Sequence, residues 1–168
     1  LSTTTICIDN PTTSSSTQGG ILRLQSDDGA VMASGHRLGV IEFGGAEDTS
    51  STITVGARIE ALTDATWSAS ENGADLVFYT TDGNASQSEG IRLGADRRLY
   101  FYDKGGEYIS GNGSVLSIVG GSEIDLTATA IDVNGTFDAS GAVGLASSSG
   151  VTTIGSSNGL TVSAAGVL

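Results

Sequence analysis

Residues 53–61 read Ile-Thr-Val-Gly-Ala-Arg-Ile-Glu-Ala, the longest stretch in which apolar and polar side chains alternate. A period of two places the apolar side chains on one face of an extended chain, with Arg58 and Glu60 on the other. Such alternation is typical of a half-buried β-strand. The stretch therefore predicts a strand and decides how the neighbouring sequence is interpreted.

The same period of two recurs on both sides of this stretch. The further runs are Leu22 and Leu24, Ile41 and Phe43, Leu76 with Phe78 and Thr80, Ile91 and Leu93, and Leu99 and Phe101. Turn-forming pairs separate them, at Asp28-Gly29, Gly44-Gly45, Asn72-Gly73, Asp82-Gly83 and Gly105-Gly106. Nowhere do apolar residues recur at the spacing of a helix face. The sequence predicts an all-β fold.

Composition indicates a thin core. The 168 residues include 25 Gly, and aromatic residues make up only 5%. A chain with so little bulk gains apolar area by sharing its core with other copies, so an oligomer is expected. The net charge of −12 leaves no basic stripe for a phosphate backbone, which argues against nucleic acid. Cys7 is the single cysteine and excludes an intrachain disulfide.

Three stretches of different composition predict the organisation of the chain. Residues 1–19 are rich in Ser and Thr and predict a short strand around 6–8 followed by a linker. Residues 20–106 hold the alternating runs and form the predicted β-strand module. Residues 107–168 are rich in Gly and Ser, with apolar pairs between turns, which is typical of short strands in a β-helix. The pairs are Leu116/Ile118, Ile124/Leu126, Ile131/Val133, Val143/Leu145, Val151/Ile154 and Leu160/Val162.

Several of these segments, taken in order, resemble a module of tailed-bacteriophage tail fibres. The matching segments are 37–43 (RLGVIEF), 56–61 (GARIEA), 66–68 (TWS), 76–83 (LVFYTTDG) and 89–93 (EGIRL). The block spans about half the chain. Residues 122–141 are similar, with a less specific motif, to trimeric β-helical fibre and spike shafts.

The resemblance implies an elongated, intertwined homotrimer, with a β-sandwich-like or β-prism-like module followed by a triple-stranded β-helix-like segment. It implies a structural and adhesive, non-enzymatic role in a virion tail fibre, extracellular after release, that positions or contributes to receptor binding on the host cell. The implied partners are two further copies of the chain, other tail or baseplate proteins, and a bacterial surface glycan or outer-membrane receptor. No cofactor is expected. The self-cleaving chaperone domain that often ends such fibres has no counterpart after Val162.

Two departures from the family pattern concern the end of the module. Only Gly90 stands before Ile91, where the family commonly has another basic residue and a Met. Residues 97–102 read Arg-Arg-Leu-Tyr-Phe-Tyr, where the family commonly continues into a Gly-Ile-Gly element. The end of the module is therefore expected to differ and to serve recognition.

Aromatic side chains are the candidate receptor contacts. Trp67, Tyr100, Tyr102 and Tyr108 combine apolar rings, which stack on sugars, with polar tips that form hydrogen bonds. The alternative is that Trp67 and alternate tyrosines fill an intertwined core. Both interpretations follow from the same residues.

Other motifs predict chemistry only weakly. His36, one per chain, would give three imidazoles on a threefold axis and so a transition-metal site, although an exposed turn residue is the favoured interpretation. Residues 155–159 (GSSNG) match a nucleophile elbow but precede a strand pattern rather than a helix. Residues 120–125 (GGSEID) approach a calcium-binding turn, but Glu123 stands where Gly is needed. No metal site is predicted.

Two other function classes stay open. The first is a fragment of a polysaccharide-degrading tailspike, which would need two paired carboxylates. The candidate acids show no spacing that singles out a pair: Asp64, Glu71, Asp75, Asp82, Glu89, Asp96 and Asp103. The second is a solenoid of the ice-binding or surface-layer kind, which would need evenly spaced Thr arrays that this sequence lacks.

Overall fold

The computed structural model describes residues 5–83, 86–128 and 131–140. Within them the chain forms one seven-stranded sheet and no helix. Its strands are β1 (Arg37–Ala46), β2 (Ile53–Thr63), β3 (Ala74–Thr81), β4 (Gln87–Leu93), β5 (Arg98–Phe101), β6 (Tyr108–Gly111) and β7 (Leu116–Val119). Each strand pairs antiparallel with the next in sequence, so the sheet is a meander. The all-β prediction is confirmed.

Strands β1 to β5 form where the sequence alternates, because a period of two gives each strand two chemically distinct faces. One predicted turn is wrong. Gly44 and Gly45 lie inside β1, beside a register shift that follows Phe43, and the chain reverses over residues 47–52 instead. The Asp48 carboxylate holds this reversal by accepting hydrogen bonds from the backbone nitrogens of Ser50 and Thr52, at 2.8 and 3.1 Å.

Two predicted strands do not form in the structure. Neither residues 6–8 nor residues 22–24 adopt a strand, and both runs are too short to compete for a ladder partner. Leu24 packs over β1 instead. A Cβ placed on Gly39 would come within 2.6 Å of the Leu24 Cβ, so glycine at position 39 allows this close approach.

The segment before β1 is tied to the end of β2. The Thr63 hydroxyl donates to the carbonyl of Ala33 and accepts from the backbone nitrogen of His36 at 3.0 Å. The Thr63 carbonyl also accepts from the nitrogen of Gly35 at 2.8 Å. Thr63 is buried, so these bonds fix the entry of the chain into the sheet.

The sheet continues past Gly106, the predicted end of the module, through β6 and β7. The compact unit that contains it ends at Asp125, and residues 126–168 form a second unit. In the described part of the second unit no residue is in a strand, and Ile131 and Val133 are exposed. The predicted apolar pairs from Val143 onward lie outside the described residues. Among the described residues, no helix is long and apolar enough to cross a membrane.

Candidate functional site

One face of the sheet carries nearly all of its large apolar side chains, and we call it the apolar face. Its members are Ile41, Phe43, Ile59, Leu76, Phe78, Ile91, Leu93, Leu99, Phe101, Ile109, Leu116 and Ile118. They form two cross-strand rows: Ile41–Ile59–Phe78–Ile91–Phe101 over β1 to β5, and Leu76–Leu93–Leu99–Ile109–Ile118 over β3 to β7. Cross-strand neighbours of this kind stabilise a sheet, and a continuous apolar face is normally buried against a second layer.

Among the described residues, Leu24 packs on this face over Gly39, and no second sheet or helix covers the rest of it. Phe78 is 38% exposed and Leu93 is 47% exposed, although both lie on inner strands of the sheet. Phe43 at one side and Ile118 at the other are more than half exposed. A contiguous apolar surface of this extent marks a site of association.

The opposite face, which we call the polar face, is the more deeply buried one. Val77 and Tyr100 are its buried apolar residues, and Glu60 and Asp75 are only 3% and 2% exposed. The alternation predicted a half-buried strand with Glu60 on the face opposite the apolar residues, and the structure buries Glu60 and leaves much of the apolar face exposed. Ala95 and Lys104, from loops outside the strands, contact Asp75 on the polar face, while most of the apolar face stays exposed.

Asp75 is the centre of the ionic contacts on the polar face. Its carboxylate pairs with Arg92 at 2.7 Å and with Lys104 at 3.0 Å, and it accepts from the backbone nitrogen of Ala95 at 2.9 Å. Arg92 also binds Glu89, at 2.7 and 2.5 Å. Burial acts to raise the pKa of Asp75, but the bonds from Ala95, Arg92 and Lys104 outweigh it and lower that pKa below its ordinary value. The buried Asp75 carboxylate is therefore ionised, and the positive charges of Arg92 and Lys104 balance its negative charge.

Glu60 forms a second cluster on the neighbouring strand, β2. It pairs with Arg37 at 2.8 Å and with Arg58 at 3.2 Å, and the Arg58 guanidinium lies 3.8 Å from the centre of the Tyr79 ring. Burial acts to raise the pKa of Glu60, but the hydrogen bond and charge of Arg58 and the charge of Arg37 lower it. Burial and the neighbouring charge of Glu60 raise the pKa of the Tyr79 hydroxyl. Both clusters join neighbouring strands through carboxylates that are almost fully buried, while the side chains of Arg37 and Lys104 stay partly exposed.

The structure brings two of the four predicted receptor aromatics together. Tyr100 and Tyr108 meet edge to face, with ring centres 5.7 Å apart, and the Arg98 guanidinium lies 4.5 Å from the Tyr108 ring. Tyr100 is 3% exposed and its hydroxyl donates to Asp96 at 2.6 Å, so its ring is covered. Within the described residues, no ring contact joins either tyrosine to Trp67 or Tyr102.

Trp67 and Tyr102 lie in loops. Trp67 is half buried between β2 and β3, where its indole nitrogen donates to the carbonyl of Gly73 at 2.9 Å. Tyr102 follows β5 and is 77% exposed, with a backbone φ of 73°. Of the four aromatics, Tyr102 presents the most surface to a ligand.

The weaker motifs have these positions. His36 is exposed just before β1, and its Nδ1 accepts a hydrogen bond from the backbone nitrogen of Ala33 at 3.3 Å. In residues 5–83, 86–128 and 131–140, no three His, Cys, Asp or Glu side chains converge on a possible metal position. Among the candidate acids, Asp75 and Glu89 come together, but both bind Arg92. The stretch 155–159 lies outside the described residues.

Sequence reasoning missed the two ionic clusters. Their partners are far apart in sequence, as with Asp75 and Arg92, and they meet only through the register of β3 on β4. The alternation within each strand did carry a signal. It places Arg58, Glu60, Asp75 and Arg92 on the same face of the sheet as Val77, opposite the apolar face. Charges of both signs on one face of adjacent strands can neutralise each other.

No protein-family model matches the sequence, and no curated protein is significantly similar to it. The chemistry of the two sheet faces is therefore the basis for a functional assignment.

Proposed function

We propose that this chain is a structural and adhesive segment of a homotrimeric phage tail fibre, which positions or contributes to receptor binding on a host cell and has no catalytic role. The observation that carries the proposal is the exposed apolar face. A sheet whose apolar side is bare in one chain is completed when copies of that side meet. The resemblance of residues 37–93 to a fibre module supplies the threefold arrangement.

Burial of the apolar face provides the free energy for association. Full burial of one large aliphatic or aromatic side chain contributes about 1.5 to 3 kcal/mol. The two cross-strand rows contain five residues each. Even partial burial of these ten side chains offsets the translational and rotational entropy that three chains lose when they associate. Around a shared axis, the three apolar faces would form a narrow interior core, and the three polar faces would point outward.

Charge favours the same arrangement. Three chains would carry a charge of −36, three times the −12 of one chain. With the apolar faces inside, this acidic surface resists further, non-specific association. The proposed trimer therefore has an apolar core and a negatively charged surface.

Light scattering on the purified chain tests the proposal. We expect a mass of three times 16.8 kDa, about 50 kDa, and a single cooperative melt. A folded monomer of 16.8 kDa would overturn the association argument, and a dimer would overturn the threefold arrangement.

A further inference from the structure

A polar cleft lies at the β5–β6–β7 end of the sheet. It has a volume of about 390 Å³, which falls in the range of small-molecule sites. Its lining residues are Asp96, Arg97, Arg98, Ser110, Gly111, Asn112, Val115 and Ser117. The register pairs Arg98 with Ser110 and Ser110 with Ser117, so one row of polar side chains forms its floor. These side chains belong to the polar face, which points away from the proposed trimer core.

Arg97 provides an unused positive charge at this cleft. It is exposed, and no acidic side chain pairs with it among the residues that the structure describes. Its backbone adopts a φ of 64°, a region that favours glycine, and is held there by a 2.9 Å bond from its nitrogen to the carbonyl of Gly94. The strained turn presents a free guanidinium beside Arg98, whose own charge is fixed by Asp96 and Tyr108.

The other lining groups suit a ligand with many hydroxyls. The hydroxyls of Ser110 and Ser117 have no hydrogen-bond partner among the described residues. Asn112 uses its Oδ1 to accept from the backbone nitrogens of Ser114 and Val115, at 3.0 and 2.9 Å, which leaves its amide NH₂ to donate. Val115 is 56% exposed and offers an apolar surface to the C–H face of a sugar ring.

From this combination we infer that the cleft binds a sugar that carries a carboxylate, with Arg97 binding the carboxylate and Ser110, Ser117 and Asn112 binding the ring hydroxyls. A guanidinium recognises a carboxylate through two parallel N–H···O bonds, and serines and amides accept or donate to hydroxyls. The inference extends the adhesive role proposed above. The cleft is built from one chain, so binding can be measured whatever the association state.

A titration of the full chain with D-glucuronate, followed by amide chemical shifts, tests the inference, with D-glucose as the neutral match. We expect saturable glucuronate binding, and about tenfold weaker binding of glucose, because a charge-assisted pair is lost. Equal affinity for the two sugars, or no saturable glucuronate binding, would overturn the inference. Displacement of glucuronate by inorganic phosphate at equal concentration would overturn the sugar assignment in favour of a general anion site.

Substitutions locate the site. Arg97→Asn removes the charge with a residue that tolerates positive φ, so the turn is retained, and we expect about tenfold weaker glucuronate binding. Arg97→Lys keeps the charge but loses the two parallel bonds, so its affinity should fall between those of the parent and Arg97→Asn. Arg23→Gln removes a charge outside the cleft and serves as the matched control, and thermal melts of all variants verify folding. Parental binding by Arg97→Asn, or an equal loss in Arg23→Gln, would contradict the assignment.

Discussion

Val77 and Phe78 are neighbours on β3, yet the valine is completely buried and the larger phenylalanine is 38% exposed. A self-contained sheet protein would bury the aromatic side chain first, because it removes more apolar area from water. The inversion arises because Val77 lies between Glu60 on β2 and Arg92 on β4, on the face that carries the two ionic clusters. Phe78 faces the side that the chain alone does not cover.

The first prediction concerns Phe78, which lies in the middle of the apolar row that runs from Ile41 to Phe101. Phe78→Asp would place a carboxylate from each copy in the dry interior of the proposed trimer, where unpaired charges are costly. We expect the light-scattering mass to fall to that of one chain at concentrations where the parent is associated. Tyr102→Asp, which changes an exposed aromatic in a turn, should leave the mass unchanged. A Phe78→Asp variant that retains the parental mass would exclude the apolar face as the interface.

The second prediction concerns Asp75, the centre of the buried ionic contacts. Asp75→Ala leaves Arg92 with Glu89 alone, leaves the partly exposed Lys104 without its anion, and removes the acceptor of the Ala95 nitrogen, a loss of about 1 to 3 kcal/mol for buried donors left unsatisfied. We expect the midpoint of urea unfolding to fall accordingly. Asp103→Ala is the matched control, because its carboxylate is exposed, and it should change stability by less than about 0.5 kcal/mol. A loss of unfolding free energy in Asp75→Ala that is no larger than the one in Asp103→Ala would show that the Asp75 contacts contribute little.

The third prediction is a loss of stability in acid. Asp75 and Glu60 have ordinary pKa values of 3.8 and 4.5, and the folded protein lowers the pKa of each. The unfolded chain therefore binds protons more readily, and the free energy of unfolding falls as the pH drops through these values and below. At neutral pH the contribution of both carboxylates is fully present.

A double variant tests this assignment of the acid sensitivity. Glu60→Gln with Asp75→Asn removes both titrations, so we expect the stability difference between parent and variant to be largest near pH 7 and to narrow below pH 4, where the parent's carboxylates take up protons. Urea unfolding at a series of pH values measures it. A difference that stays constant with pH would assign the acid sensitivity to other groups.

The alternation of residues predicted most of the sheet and the membership of its faces. It predicted β1 to β5, because a period of two is a local property that each strand carries in its own sequence. It did not predict which face is buried, since that depends on cross-strand partners such as Arg92, which lies 17 positions from Asp75. The cleft was equally out of reach: Arg97 and Arg98 stood out as a departure, but Ser117 joins them only through two hairpins.

The two short runs at 6–8 and 22–24 show the limit of the same reasoning. Period two is necessary for a half-buried strand, but a strand also needs a neighbour with free backbone groups. Leu24 finds a packing contact over Gly39 without any ladder. Ile6 and Leu22 stay exposed, so a short alternating run by itself predicts neither a strand nor burial.

The last prediction concerns the β6–β7 hairpin, which supplies one wall of the cleft. Gly113 has a φ of +90° and open space where a Cβ would lie, so an alanine there meets strain but no clash. We expect Gly113→Ala to lower the free energy of unfolding by about 1 kcal/mol or more, read from urea unfolding. Gly111→Ala is the control two residues earlier, in a strand conformation with its nearest neighbour, the Val115 carbonyl oxygen, at 3.7 Å. An alanine at 111 restricts the unfolded chain without strain and should leave stability unchanged or slightly raised. If both alanines have the same effect, the positive φ of Gly113 is not what shapes this hairpin.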